Sequence, residues 1–135
     1  MVDLVAPRLG AVIAENNASL MVQQSLLTTA SVLYDAVFVP GGTNCVATLA
    51  ADPDALHFLN EAFRHCKPIA ADASAMQVIE ETYFAKRLPS EASEMTALDE
   101  GVYVNDVEPS FAQVFIKMIR LHRYWDRERA RKMPA

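Results

Sequence analysis

Tyr34-Asp-Ala-Val-Phe-Val-Pro-Gly-Gly42 decides the fold. Ala36 to Val39 is short, apolar and partly β-branched, as expected of a strand covered on both faces. Pro40 has no N–H to donate and ends the ladder. Gly41 and Gly42 allow a turn that other residues resist, and they let another group approach the backbone closely. In an open α/β sheet such a turn lies at the carboxyl end of a strand, where sites form.

Upstream of this run, Val2 to Ala6 reads as a minimal strand ended by Pro7. Leu9 to Ala14 is extended, Glu15-Asn-Asn-Ala18 is a turn, and Ser19 to Gln24 is the return strand of a hairpin. Leu26 to Ser31 connects this part to the main strand, whose start the Asp35 carboxylate is placed to bond. Downstream, Asn44 to Ala51 is a short helix. Asp52-Pro53 opens a second, with aspartate as cap, proline in the first turn and Asp54 favourable to the helix dipole. Its apolar stripe is Leu56, Leu59 and Phe63, and His65 and Lys67 close it. Pro68 to Ala71 is a second buried strand. Ala73 to Phe84 is a helix with Met76, Ile79 and Tyr83 facing inward. Leu88 to Glu100 is a polar loop, and Gly101 to Val104 a short strand. Pro109-Ser110 opens the last helix, with Phe111, Val114, Phe115, Met118, Ile119 and His122 on one face and Lys117, Arg120 and Arg123 on the other. Strands alternating with helices imply a mainly parallel sheet with helices on both faces. The domain is expected over residues 1–124, followed by a polar tail over 125–135.

One domain of 135 residues, with half its residues hydrophobic, builds a core without staples. No apolar run approaches the roughly 20 residues of a membrane span, and no signal peptide is visible, so a cytoplasmic protein is expected. Two cysteines make neither a disulfide framework nor a zinc site. Residues 1–116 carry fifteen acids and five bases, and residues 117–135 two acids and seven bases. An acidic body disfavours nucleic acid as the main partner.

Four stretches carry a resemblance: Ala6-Pro-Arg-Leu-Gly10, the run Leu26 to Gly42, Ala62-Phe-Arg-His-Cys-Lys-Pro-Ile-Ala70, and His122-Arg-Tyr-Trp-Asp-Arg127. Together the chain resembles the C-terminal domain of large-subunit haem catalases. The run 26–42 and the final His-x-x-Trp are the most specific parts. The resemblance implies the flavodoxin-like fold of the class I glutamine amidotransferase and intracellular-protease superfamily, and a non-catalytic part in assembling and stabilising a homotetramer. A chaperone-like role has also been proposed for such domains. The family domain starts with a strand and helix that have no counterpart here, so an N-terminally truncated sheet is expected. The slot of the first strand must then close up, stay open or be filled by another chain, and left open it exposes unpaired backbone on two edges. Haem is implied for the parent catalase only, since none of its distal or proximal residues maps onto this sequence.

Active members of the wider superfamily carry a nucleophilic cysteine on a tight turn after a strand. The corresponding turn here is Ile69-Ala-Ala-Asp-Ala-Ser-Ala75, and the cysteine's place falls near Ala73. Alanine cannot attack a carbonyl. Ser74 needs a base to take its proton, so Asp72 and Ser74 are expected to cap the following helix. Cys45 follows Gly41-Gly42 near a helix start, where a thiol pKa can fall; packing as a small hydrophobe is the simpler expectation. Gly41, Gly42, Cys45, Asp72, Ala73 and Ser74 thus form a vestigial pocket. Cys66 is expected to pack, His57 to be exposed, and His122 to be a hydrogen-bonded core histidine. No histidine pair has ligand spacing, and no metal is implied. The basic run from Arg127 to Lys132 is diluted by acids, and Trp125 suits a subunit contact. Three functions follow. The first is an accessory domain whose partners are the catalase core and other subunits of a homo-oligomer. The alternatives are a stand-alone degenerate superfamily member with a chaperone-like or small-ligand role, and an enzyme using Cys45 or Ser74.

Overall fold

A computed structural model describes residues 1–88, 96–97 and 100–129. Four short strands come first: β1 (Val5–Ala6), β2 (Gly10–Ile13), β3 (Ser19–Val22) and β4 (Gln24–Ser25). β2 and β3 form the expected antiparallel hairpin, with Val12 opposite Leu20. Asn17 takes the left-handed backbone in its turn, at φ 60. β1 and β4 pair in parallel at the hairpin's base, Val5 beside Gln24.

The central sheet is built from β5 (Val37–Val39), β6 (Ile69–Asp72), β7 (Thr96–Ala97) and β8 (Val102–Asn105), in the spatial order β5-β6-β8-β7. The first three run parallel and β7 pairs antiparallel with β8. Most of the segment read as a polar loop, 88–100, lies outside the described residues. Within it β7 is a strand that the sequence pattern did not show.

Helices α1 (Thr43–Ala51), α2 (Pro53–Arg64), α3 (Met76–Glu80), α4 (Pro109–Arg120) and α5 (Asp126–Arg129) complete the chain. Alternation along the strands sends side chains to both sheet faces. Val39, Ile69, Ala71, Val102 and Val104 meet Val46 of α1, Leu59 and Phe63 of α2 and Ile79 of α3 in the larger core. Ala70 and Tyr103 point the other way, against Phe111 and Met118 of α4. The fold is therefore the flavodoxin-like α/β arrangement expected, with helices on both faces.

α2 shows how the sequence sets an element. Asp52 Oδ1 accepts from the N–H groups of Asp54 at 2.8 Å and Ala55 at 3.4 Å, a cap worth about 1 kcal/mol. Pro53 occupies the first turn. Phe63 then stacks on Phe84, ring centres 4.3 Å apart.

Several expectations are corrected. β5 is not covered on both faces: among the described residues it pairs with β6 alone, and Phe38 is 43 % exposed beside Phe111. The helix expected over 73–84 is three pieces, a 3-10 turn at Ala73–Ala75, α3, and a 3-10 turn at Tyr83–Arg87. The Thr82 hydroxyl donates to Ile79 O at 2.6 Å, and Tyr83 N–H leaves the helix axis for Asn60 Oδ1 at 3.1 Å. Phe84 is buried in consequence, while Tyr83 is half exposed.

Asp35 does not bond the backbone at the start of β5. Its exposed carboxylate lies 3.9 Å from Arg123. The buried Lys67 binds there instead, donating from Nζ to Val32 O at 2.6 Å and to Tyr34 O. His122 is exposed rather than in the core, because α4 ends at Arg120 and the chain reverses through His122 at φ 66. Arg127 is not a free basic group of the tail. It is buried, and donates to Glu100 O at 2.5 Å, Phe63 O at 3.0 Å and Lys67 O at 2.8 Å.

Candidate functional site

The carboxyl ends of β5 and β6 lie side by side in register, with Val39 beside Ala71. That pairing brings the Gly41-Gly42 turn against the Asp72-Ala73-Ser74 turn. A Cβ on Gly41 would overlap Ser74 Oγ and Asp72 Oδ1, so only glycine admits this approach. Gly42 stands at φ 103 and its N–H donates to Ser74 Oγ at 3.4 Å. The structure thus brings Gly41, Gly42, Asp72, Ala73 and Ser74 into one place. Cys45, one helical turn further on, joins them: its Cβ lies 3.9 Å from where a Gly42 Cβ would stand.

The hydrogen bonds run inward. The Ser74 hydroxyl donates to Asp72 Oδ1 at 2.5 Å, and Ser74 N–H donates to the same oxygen at 2.9 Å. The Ser74 hydroxyl, with the backbone N–H groups of Ser74 and Val107, holds the Asp72 carboxyl below the usual range despite some burial. A carboxylate stabilised in this way is a weak base and does not make a serine nucleophilic. Asp72 instead caps the 3-10 turn, as the sequence suggests.

Glu15, from the hairpin turn, is a member that the sequence reasoning missed. A Cβ on Gly42 would stand 2.9 Å from Glu15 Oε1. The signal lay in an acid inside an otherwise asparagine-built turn, but nothing in the chain's spacing links residue 15 to residue 42. Burial, and secondarily the Glu15 charge, push the Cys45 thiol above its ordinary value. Burial thus outweighs any activating effect of the helix dipole on Cys45. Cys66 is buried, with its carbonyl accepting from Tyr124 N–H at 2.8 Å.

Among the described residues, no group of three His, Cys, Asp or Glu side chains is placed to hold a metal ion. His57 on α2 and His65 just after its end are exposed and line a cavity of about 290 Å³ against residues 26–32. No described helix is long and apolar enough to cross a membrane.

A family model described as the C-terminal domain found in long catalases matches residues 2–129. The chain is 32 % identical over 139 residues to a catalase HPII from Mycobacterium avium, covering all of this chain and 20 % of that protein. It is 35 % identical over 133 residues to a catalase HPII from Pseudomonas aeruginosa, covering 98 % of this chain and 17 % of that one. The chain thus spans about a fifth of the length of these curated relatives. Among solved structures, a DJ-1 superfamily protein from Salmonella typhimurium superposes with a TM-score of 0.53 at 21 % identity, over 94 % of this chain and 78 % of its own. A two-domain protein from Anabaena variabilis, with DJ-1/ThiJ/PfpI-like and ferritin-like domains, gives a TM-score of 0.62 at 19 % identity, over 87 % of this chain and 39 % of that one. At these identities the solved structures share the fold alone.

Proposed function

The chain belongs to the family of C-terminal domains found in long catalases, and from that premise we propose that it is a non-catalytic accessory domain. Its contribution to a long haem catalase is subunit packing and stability. The conversion of hydrogen peroxide to water and oxygen belongs to the remainder of such a polypeptide. The partners are that catalase portion and other subunits of a homo-oligomer, in the cytoplasm, without nucleic acid or membrane.

The observation that carries this reading is the turn after β6. Ala73 offers no nucleophile there, and its neighbours Asp72 and Ser74 are committed to each other. Within the vestigial pocket of Gly41, Gly42, Cys45, Asp72, Ala73 and Ser74, the space beside Gly41 is taken by the Ser74 and Asp72 side chains, and that beside Gly42 by Glu15. A surface that does no chemistry is retained for what it holds together.

The test joins residues 1–135 to the catalase portion of the Mycobacterium avium relative, in place of the region they match. Half-time of heat inactivation and mass in solution are compared with the same enzyme lacking that region. The expected result is a longer half-time with the domain and unchanged turnover of peroxide. Equal half-times and an equal number of subunits would overturn the proposal, as would turnover of peroxide or of an activated ester by the 135-residue chain alone.

A further inference from the structure

The β2–β3 hairpin carries exposed apolar side chains on both faces, with Val22, at the base of the Val12–Leu20 face, buried. Val12 and Leu20 sit opposite each other on one face; Ile13 and Met21 lie on the other. All four side chains are exposed, Ile13 at 69 % and Met21 at 64 %. A lone two-stranded ribbon is marginal in water, and clustered exposed apolar groups mark contact surfaces. The hairpin shares no ladder with the central sheet. It is nonetheless held in place: β1 and β4 close its base, and Glu15 at its tip rests against Gly42. This arrangement is a preformed arm.

We propose that the β2–β3 hairpin is the arm by which this domain docks into an apolar cleft of the catalase portion of a long catalase. The inference rests on the accessory-domain reading above. Two observations choose the occupant. Curated relatives carry about four-fifths of their length outside the matched region, so a large covalently joined surface accompanies the domain in those proteins. A second copy packing about a two-fold axis lays one hairpin face on its mate and leaves the other bare. A cleft takes up Val12 and Leu20 on one wall and Ile13 and Met21 on the other.

The experiment uses the same joined enzyme, with Ile13→Lys and Met21→Lys, singly and together, and Ile116→Lys as a control. Ile116 is an exposed apolar residue of α4, away from the hairpin. Equal urea midpoints for the 135-residue chains with and without each substitution show that folding is intact. Amide exchange at residues 10–13 and 19–22 is expected to slow on the order of a hundredfold in the joined enzyme relative to the chain alone. The hairpin substitutions are expected to remove that protection and shorten the inactivation half-time about tenfold, with Ile116→Lys neutral. A longer half-time with hairpin exchange unchanged overturns the docking arm and leaves the accessory-domain reading intact. No lengthening of the half-time on joining the wild-type chain, with the number of subunits unchanged, overturns both.

Discussion

Gly41 is the residue on which the pocket's closure depends. Any Cβ there meets Ser74 Oγ and Asp72 Oδ1, and both atoms are already fixed by hydrogen bonds. Gly41→Ala is expected to cost about 1–3 kcal/mol in urea unfolding, because the two turns must part to admit the methyl group. Asp72 sets the acid limb of stability. Its folded carboxyl titrates below the usual range, chiefly through the Ser74 hydroxyl. The unfolded chain therefore binds that proton more readily. The contribution is present above the unfolded value of about 3.9 and is lost as pH falls through the lower folded value. The urea midpoints of wild type and Asp72→Asn should converge as pH is lowered from about 5 to about 2; a gap that stays constant would assign the difference to shape rather than charge. Cys45 gives a third check. Burial first, and Glu15 second, keep it protonated at neutral pH. Its reaction with a disulfide reagent should be slow at pH 7 and climb in alkali, and Glu15→Gln should speed it modestly at fixed pH. Labelling as fast as that of an unhindered peptide thiol would contradict the half-buried, protonated thiol.

At the scale of elements, α5 is where sequence pattern and structure part most. Asp126 to Arg129 reads as a charged tail, yet α5 sends Arg127 into the core. Its guanidinium lies 4.1 Å from the centre of the Phe63 ring and closes three backbone carbonyls, of Phe63, Lys67 and Glu100. Burial lowers its pKa to about 10, which still leaves it charged at neutral pH. Arg127→Ala strands those carbonyls and is expected to cost about 2–4 kcal/mol by chemical denaturation. Arg127→Lys should recover little of that, since an ammonium lacks the planar fork. A loss below half a kcal/mol, on the order of an ordinary surface change, would show that α5 merely rests on the core. The same elements explain what was legible in the sequence. Asp52-Pro53 and Pro40-Gly41-Gly42 act through their own backbone, so their roles can be read locally. The apolar periods of α2 and α4 name the faces that meet the sheet. Arg127, Lys67 and Glu15 act on carbonyls or glycines 27 to 64 residues away along the chain, and no local pattern encodes such partners. His122 failed for a related reason: the stripe continues through it in sequence, but the helix stops at Arg120.

As a whole, the molecule divides its stability unevenly. The central sheet and α1 to α4 enclose two apolar layers, in which Ile69, Ala70, Ala71 and Val102 are fully buried. The β2–β3 hairpin adds its own antiparallel ladder, the two-residue pairing of β1 with β4, the burial of Val22 and the contact of Glu15 with Gly42. Amides in a packed parallel sheet open only when the domain unfolds, whereas a two-stranded ribbon with most of its side chains exposed opens by local fluctuation. In the 135-residue chain, the amides of Ile69 to Ala71 and of Val102 to Val104 should exchange at least about a thousandfold more slowly than those of β2 and β3. Low urea should separate the two classes further. Global opening exposes much surface and speeds up with denaturant, while hairpin opening exposes little and hardly responds. Uniform protection across both classes, with one common dependence on urea, would mean that the hairpin is a full member of the cooperative unit. A labile hairpin on a resistant sheet is the behaviour of an element whose apolar faces are completed by another part of a larger assembly.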